Sequence, residues 1–230
     1  MPLFLSTRAC MHPNGTDLPA QLHDDMLVAT EVKILMRAGT ETIRIRQATA
    51  TDIPALHVLI ESSVRELMSA THSPEQIEGA LGTLLGLDTQ LIADETYFVA
   101  ESQRASGKPL VVACGGWSNR KTLFGSDHRE GREDSLLEPA IDAAKIRAFF
   151  VHPDWTRRGL GTQILDACES AARAAGFSRF ELGATLTGVP LYEVHGYTPV
   201  ERIEAPLRNG ATLSIVRMVK PHLADSDSRR

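Results

Sequence analysis

Along the chain the spacing of apolar positions changes several times, and each change marks an element. Ile43-Arg44-Ile45-Arg46-Gln47-Ala48 alternates apolar and polar, the period of a half-buried strand. Thr51 can then cap a helix, with Asp52 in its first turn and Ile53, Leu56, Ile60, Val64 and Leu67 as its buried face. Ser73-Pro74-Glu75-Gln76 opens a second helix: serine caps, proline takes the first turn and glutamine closes a capping box. Gly79, Gly82 and Gly86 weaken that helix. Residues 96–101 and 110–117 read as strands joined by a polar loop, and Gly115-Gly116 leaves room for close approach to the second. A polar insertion follows over 119–140, carrying Asp127, Glu130, Glu133 and Asp134, and reads as an ordinary solvated loop or as a mobile flap. Strands are expected at 144–151, 179–184, 197–204 and 212–219, with Asn209-Gly210 as a hairpin turn and a short helix over 188–194. Helices interleaved with strands and hairpins indicate an α/β fold with a mixed sheet.

The stretch from Ala148 to Phe177 carries the most pattern. Ala148-Phe149-Phe150-Val151 ends a strand, and Pro153 breaks it, because proline cannot donate to a sheet ladder. Arg157-Arg158-Gly159-Leu160-Gly161-Thr162 is a basic, glycine-rich turn. A long helix starts directly after it. Leu160, Ile164, Leu165, Cys168, Ala171, Ala172 and Ala175 fall on its apolar face, and Gln163, Asp166, Ser170 and Arg173 largely on the other. Gly176 ends it. The first N–H groups of a helix have no partner within it, and the helix dipole puts partial positive charge there. Glycines admit a phosphate to the backbone and the two arginines add charge, so a diphosphate suits this turn.

With Val151-x-Pro153 ahead of it, Arg158-Gly159-Leu160-Gly161 resembles the acetyl-CoA-binding segment of the GCN5-related N-acetyltransferase (GNAT) superfamily. The resemblance runs from about Ile43 to Lys220, which sets expected bounds of 1–42 for an N-terminal extension, 43–220 for a GNAT domain and 221–230 for a disordered tail. It implies the GNAT fold: a mixed, mostly antiparallel central sheet, two parallel strands that splay apart, and flanking helices. It implies acetyl-CoA as co-substrate and no metal. The strand edge Phe149, Phe150 and Val151 would take the pantetheine arm, and Arg157, Arg158, Gly159, Leu160, Gly161 and Thr162 the diphosphate. The family opens its turn with glutamine or arginine where this chain has Thr156, so one side-chain contact is missing while the backbone contacts remain. The first two helices would border the acceptor site, and the 119–140 insertion, as a flap, would cover its entrance and draw in a cationic amine with its acids.

Leu191-Tyr192-Glu193-Val194-His195-Gly196-Tyr197 resembles a second family segment, whose tyrosine serves as general acid; here that is Tyr192. A phenol of pKa about 10 stays protonated at neutral pH and can serve a leaving thiolate of pKa about 8.5. Thr185 and Gly188 stand where the family often has asparagine and alanine. Glu101, Glu181, His152 or a water relay are the candidates for the base. The reading is an N-acetyltransferase acting on a small-molecule or peptide amine; the alternative is a non-catalytic acyl-CoA-binding regulatory module. No Gly-x-x-x-x-Gly-Lys-Ser/Thr motif is present, which excludes a P-loop enzyme.

Composition narrows the classes further. At 230 residues the chain is long enough for one substantial core. A formal net charge of −5 and 5% aromatics argue against a nucleic-acid partner. No run approaches the roughly 20 apolar residues of a membrane span, and the start lacks a charged, apolar leader, so a cytoplasmic protein without a membrane partner is expected. Cys10, Cys114 and Cys168 show no zinc spacing, and Cys114 and Cys168 read as buried, inert thiols. A homodimer is allowed but not readable, and Met36 is an alternative start.

Overall fold

The computed structural model describes residues 42–103 and 108–221. The expectations for the N-terminal extension and for the tail beyond Pro221 lie outside the described residues. Seven strands form one sheet: β1 (Thr42–Gln47), β2 (Tyr97–Gln103), β3 (Leu110–Ser118), β4 (Ala144–Val151), β5 (Phe180–Thr185), β6 (Thr198–Pro206) and β7 (Thr212–Lys220). Their order is β1-β2-β3-β4-β5-β7-β6. Every pair is antiparallel except β4 with β5, which is parallel. Mixed and mostly antiparallel, this is the sheet the resemblance implies.

Among the described residues five helices accompany it: α1 (Ile53–Met68), α2 (Pro74–Ala80), α3 (Thr89–Ala93), α4 (Leu160–Ala174) and α5 (Val189–Glu193). They pack two cores against the two sheet faces. On one face Leu56, Leu59, Ile60 and Val64 of α1 meet Tyr97, Val99, Phe150 and Ile215. On the other, Leu160, Ile164, Leu165 and Cys168 of α4 meet Phe98, Ala100, Ala113 and Leu182.

Local chemistry starts and stops these helices. Ahead of α1 a short 3-10 turn forms, and the Asp52 carboxylate accepts from the Thr49 N–H at 2.8 Å; Thr49 therefore takes the capping place expected of Thr51. The Ser73–Gln76 capping box is present, with Gln76 N–H donating to Ser73 Oγ at 3.3 Å and Ser73 N–H to Gln76 Oε1 at 3.0 Å. The glycines end α2 early: it stops at Ala80, and Gly82 takes φ 71°. Gly176 ends α4 at φ 93°, with Phe177 N–H returning to the Ala172 carbonyl at 3.0 Å.

Three phase expectations need correction. Leu59 rather than Leu67 sits in the core of α1, and Leu67 reaches solvent. In α4 Gln163 is buried and Ala175 is exposed, because the face packed on the sheet is broad in the first turns and narrows toward the end. Glu169 is buried as well, held by Lys220 at 2.7 Å and by the Tyr197 hydroxyl at 2.9 Å.

Candidate functional site

β4 breaks its regular path at one residue. Ala148 takes φ 55°, a left-handed conformation that costs a non-glycine residue. Phe150 lies opposite Cys114 and Arg147 opposite Gly116, so three steps along β4 match two along β3. The extra residue is a β-bulge. It sends Phe149 to the α4 face while Phe150 stays on the α1 face. Gly115 makes room for this: a Cβ there would stand 2.6 Å from the Phe149 ring.

Pairing between β4 and β5 covers only Ala144↔Phe180, Lys145↔Glu181 and Ile146↔Leu182. Past Ile146 the strands part, and residues 147–151 keep one backbone edge without a strand partner among the described residues. Phe149, Phe150 and Val151, the expected pantetheine edge, lie on this open side.

The chain then turns through a 3-10 segment, Pro153–Trp155, into α4. Thr156 Oγ1 donates to the Pro153 carbonyl at 3.0 Å, so its hydroxyl is spent on the turn. Arg157 (φ 61°) and Gly159 (φ 76°) bend the backbone so that α4 begins abruptly at Leu160. No side chain caps this end. Gln163 N–H closes the first helical bond, to the Gly159 carbonyl at 3.1 Å, which leaves the N–H groups of Leu160, Gly161 and Thr162 without helical partners. The Arg158 guanidinium stacks 4.5 Å above the Trp155 ring, and both arginines are exposed. Unpaired N–H groups, a dipole end and two cations are together the features that suit an anion.

Tyr192 approaches the same opening from α5. Its ring is 8% exposed and stands edge-on to Phe149 (centroids 6.1 Å apart) and to Tyr197 (5.8 Å). Its hydroxyl makes no hydrogen bond among the described residues, and burial drives the phenol above its ordinary pKa. Leu191, beside it, leaves 3.1 Å for a Cβ at Gly161, so α5 sits directly on the first turn of α4. The fold thus gathers β4, the α4 turn and Tyr192 around one gap. The sequence did not reveal the aromatic pair that holds Tyr192 from both sides, because Phe149 reaches it only through the bulge.

The proposed bases fare differently. Glu101 is ion-paired with Arg46 at 3.1 Å, and Arg46 also holds Asp52 at 2.8 Å. Glu181 lies between Lys145 and Arg217; burial works to raise its pKa, and the two cations outweigh it, so the carboxyl ends below its usual range. Both glutamates are structural ion-pair partners. His152 Nδ1 accepts from the Asp154 N–H at 3.2 Å within the turn.

On the α1 face lies a cavity of about 320 Å³, with Ile60, Leu85 and Leu87 as apolar walls and His57, Glu61, Asp127 and His128 among its polar ones. The insertion supplies Asp127 and His128, and it is tied down where a mobile flap was expected. Ser126 N–H and Oγ donate to the carbonyls of Thr83 and Gly82, both at 2.7 Å, and Asp127 N–H donates to Leu87 at 3.1 Å. Beneath it Asp88, fully buried, receives Arg147 at 2.7 Å and Arg132 at 3.1 Å. Cys114 and Cys168 are free and buried, as expected, and burial pushes the Cys114 thiol up to about 12. Among the described residues no helix is long and apolar enough to cross a membrane, and no group of three His, Cys, Asp or Glu is placed to hold a metal.

Residues 135–220 match the acetyltransferase (GNAT) domain family. Comparison with curated protein sequences returns no match. Among solved structures, a GCN5-related N-acetyltransferase from Rhodopseudomonas palustris superposes with a TM-score of 0.54 at 21% identity, over 81% of this chain and 98% of that one. The PaiA N-acetyltransferase of Thermoplasma acidophilum, solved with coenzyme A, gives 0.51 at 12% identity over 79% and 99%. A Mycobacterium tuberculosis protein solved with CoA gives 0.50 at 20% identity over 78% and 99%. At such identities the likeness establishes the fold.

Proposed function

We propose that this chain is an acetyl-CoA-dependent N-acetyltransferase of the GNAT superfamily that moves the acetyl group directly onto an amine; the match of residues 135–220 to the GNAT domain family and the shared fold support this reading. The observation that carries this reading is the open seam between β4 and β5, which runs from the bulge at Ala148 to the uncapped start of α4 and has Tyr192 on its flank. Bound there, acetyl-CoA supplies an activated thioester.

The free edge of Phe149–Val151 would pair with the amide groups of the pantetheine arm. The N–H groups of Leu160, Gly161 and Thr162 would hold the diphosphate, with Arg157 and Arg158 as outer cations. Tyr192 would donate to the sulfur as the carbon–sulfur bond breaks. Because burial raises its pKa, the phenol is in its donor form across the physiological range. Full proton transfer to a thiolate of pKa about 8.5 is uphill from such a group, so the hydrogen bond made as charge develops is its main contribution. The amine's own proton would leave through water, since Glu101 and Glu181 are both engaged by cations. The cavity beside α1 is the proposed acceptor side; its Glu61 is engaged by Arg65 at 2.9 Å, and Asp127, whose carboxylate takes the Thr89 N–H at 2.9 Å, would meet a cationic amine.

Thiol release from acetyl-CoA, followed over a panel of polyamines, amino acids, aminoglycosides and peptide N-termini, tests the proposal. Tyr192→Phe should bind acetyl-CoA as the native chain does and lose about 10²–10⁴-fold in turnover with the best acceptor. Tight acetyl-CoA binding with no amine-dependent thiol release would favour the regulatory module. Full turnover of Tyr192→Phe under rate-limiting chemistry would move the acid role elsewhere.

A further inference from the structure

Tyr97 is the first residue of β2 and is buried to 1% exposure on the α1 face. Its hydroxyl donates to the carbonyl oxygen of Ala148 at 2.9 Å and stands 3.1 Å from Cys114 Sγ. One proton serves two neighbours, and the carbonyl is the stronger acceptor, so the proton belongs to Ala148; the thiol can point its own hydrogen back at the phenol oxygen. Burial raises the pKa of Tyr97 and that of Cys114, so both groups stay protonated and the bond persists at every physiological pH.

Ala148 is the bulge residue, and it holds its left-handed φ without being glycine. Such a conformation persists only where surrounding contacts enforce it. The neighbouring strand cannot supply that contact, because the ladder between β3 and β4 is interrupted here. The Tyr97 hydroxyl, reaching from two strands away, does. Three features of the gap depend on the bulge: the turning of Phe149 toward the α4 face, its packing over Gly115, and its edge contact with Tyr192.

We propose that Tyr97 is a positioning residue for the acyl-CoA seam: its hydroxyl locks the Ala148 bulge, and the locked bulge presents the free edge of β4 and the Phe149 ring on which Tyr192 leans. This rests on the reading of that edge as the CoA site. If the native chain bound no acetyl-CoA that reading would fail, whereas the lock fails only through its variants.

The test is titration calorimetry of acetyl-CoA with the full chain, with thermal midpoints read alongside. Tyr97→Phe keeps the ring and removes the donor; its dissociation constant for acetyl-CoA should rise about three- to tenfold, the usual worth of one hydrogen bond. Ala148→Gly takes the left-handed conformation freely, so the Tyr97→Phe/Ala148→Gly double variant should return to within about twofold of native affinity. Cys114→Ala leaves the phenol–carbonyl bond in place and should bind natively. Should Tyr97→Phe not fold, Ala148→Val in the native background asks the same question, since a β-branched residue resists a positive φ, and it should show the same loss. The lock is overturned if Tyr97→Phe lowers the thermal midpoint but binds acetyl-CoA natively. It is also overturned if glycine at 148 fails to recover affinity in the double variant, or if Ala148→Val binds natively.

Discussion

Gly159 and Gly161 stand two residues apart and are needed for unrelated reasons. Gly159 takes φ 76° with open space where a Cβ would be, so its requirement is conformational. Gly159→Ala should cost about 1 kcal/mol of stability and distort the cradle only slightly. Gly161 has ordinary helical geometry but faces Leu191. Gly161→Val should push α5 off α4, displace Tyr192 next to Leu191, and abolish measurable acetyl-CoA binding. Equal affinity in Gly161→Val and the native chain would place the nucleotide elsewhere. Arg158→Ala should weaken binding by about 1–2 kcal/mol, since one charge-assisted contact is removed. Both glycines were legible as a motif from their spacing. Their separate roles were not, because Leu191 is distant in sequence and a dihedral leaves no trace in composition.

At the level of elements, the helices and strands were largely readable because each is amphipathic with a clear period. The errors fall where burial departs from that period. Gln163 enters the core through the wide contact of α4, and Glu169 does so because Lys220, Arg173 and Tyr197 meet its carboxylate. The insertion was misread for a related reason. Its partners, Thr83, Leu87 and Asp88, lie far back in the chain, and polar composition alone looks like a solvated flap. Asp88 is the hinge of that difference. Its carboxylate is the buried counter-charge for both Arg147 and Arg132. Asp88→Asn would leave the buried Arg147 guanidinium without its counter-charge, while Arg132 keeps Asp134, and should cost about 3–5 kcal/mol in denaturant unfolding. A loss below about 1 kcal/mol would mean that water reaches the cluster. Of the insertion's five acids, Asp127, Glu130, Glu133, Asp134 and Glu138, only Asp127 lines the cavity, while Glu133 and Asp134 pair with Lys121 and Arg132. Asp127→Asn should therefore raise the Michaelis constant for a cationic amine at low salt, and Glu133→Gln should leave it unchanged.

For the whole molecule, the α/β class and the mixed sheet followed from the order of elements and the splaying of two parallel strands from the resemblance, but the point at Ile146 where β4 and β5 part did not, since a strand's sequence does not say where its neighbour leaves it. Charge behaviour is also a property of the assembled chain. Hydrogen bonding from Arg46 holds Asp52 below the ordinary aspartate range, and Arg120 does the same for Asp94. Folded values below unfolded ones mean that these groups stabilise the fold above the unfolded carboxylate range, near pH 4. That contribution is lost as pH falls through the depressed folded values. The urea midpoint should hold from pH 7 to about pH 5 and decline below about pH 4; a midpoint unchanged at pH 3 would show that the pairs add nothing.

The seam between β4 and β5 leaves part of one central strand without a strand partner among the described residues. If acetyl-CoA is that partner, the folding equilibrium acquires a dependence on metabolite concentration. Ligand at about a hundred times its dissociation constant adds roughly 2.7 kcal/mol to the folded state by mass action alone. The melting temperature should then climb with the logarithm of acetyl-CoA concentration. Amide deuterium uptake over residues 147–151 should slow in step with it. A cell short of acetyl-CoA would hold this protein in its less durable form, so its lifetime against proteases would report the supply of its own co-substrate.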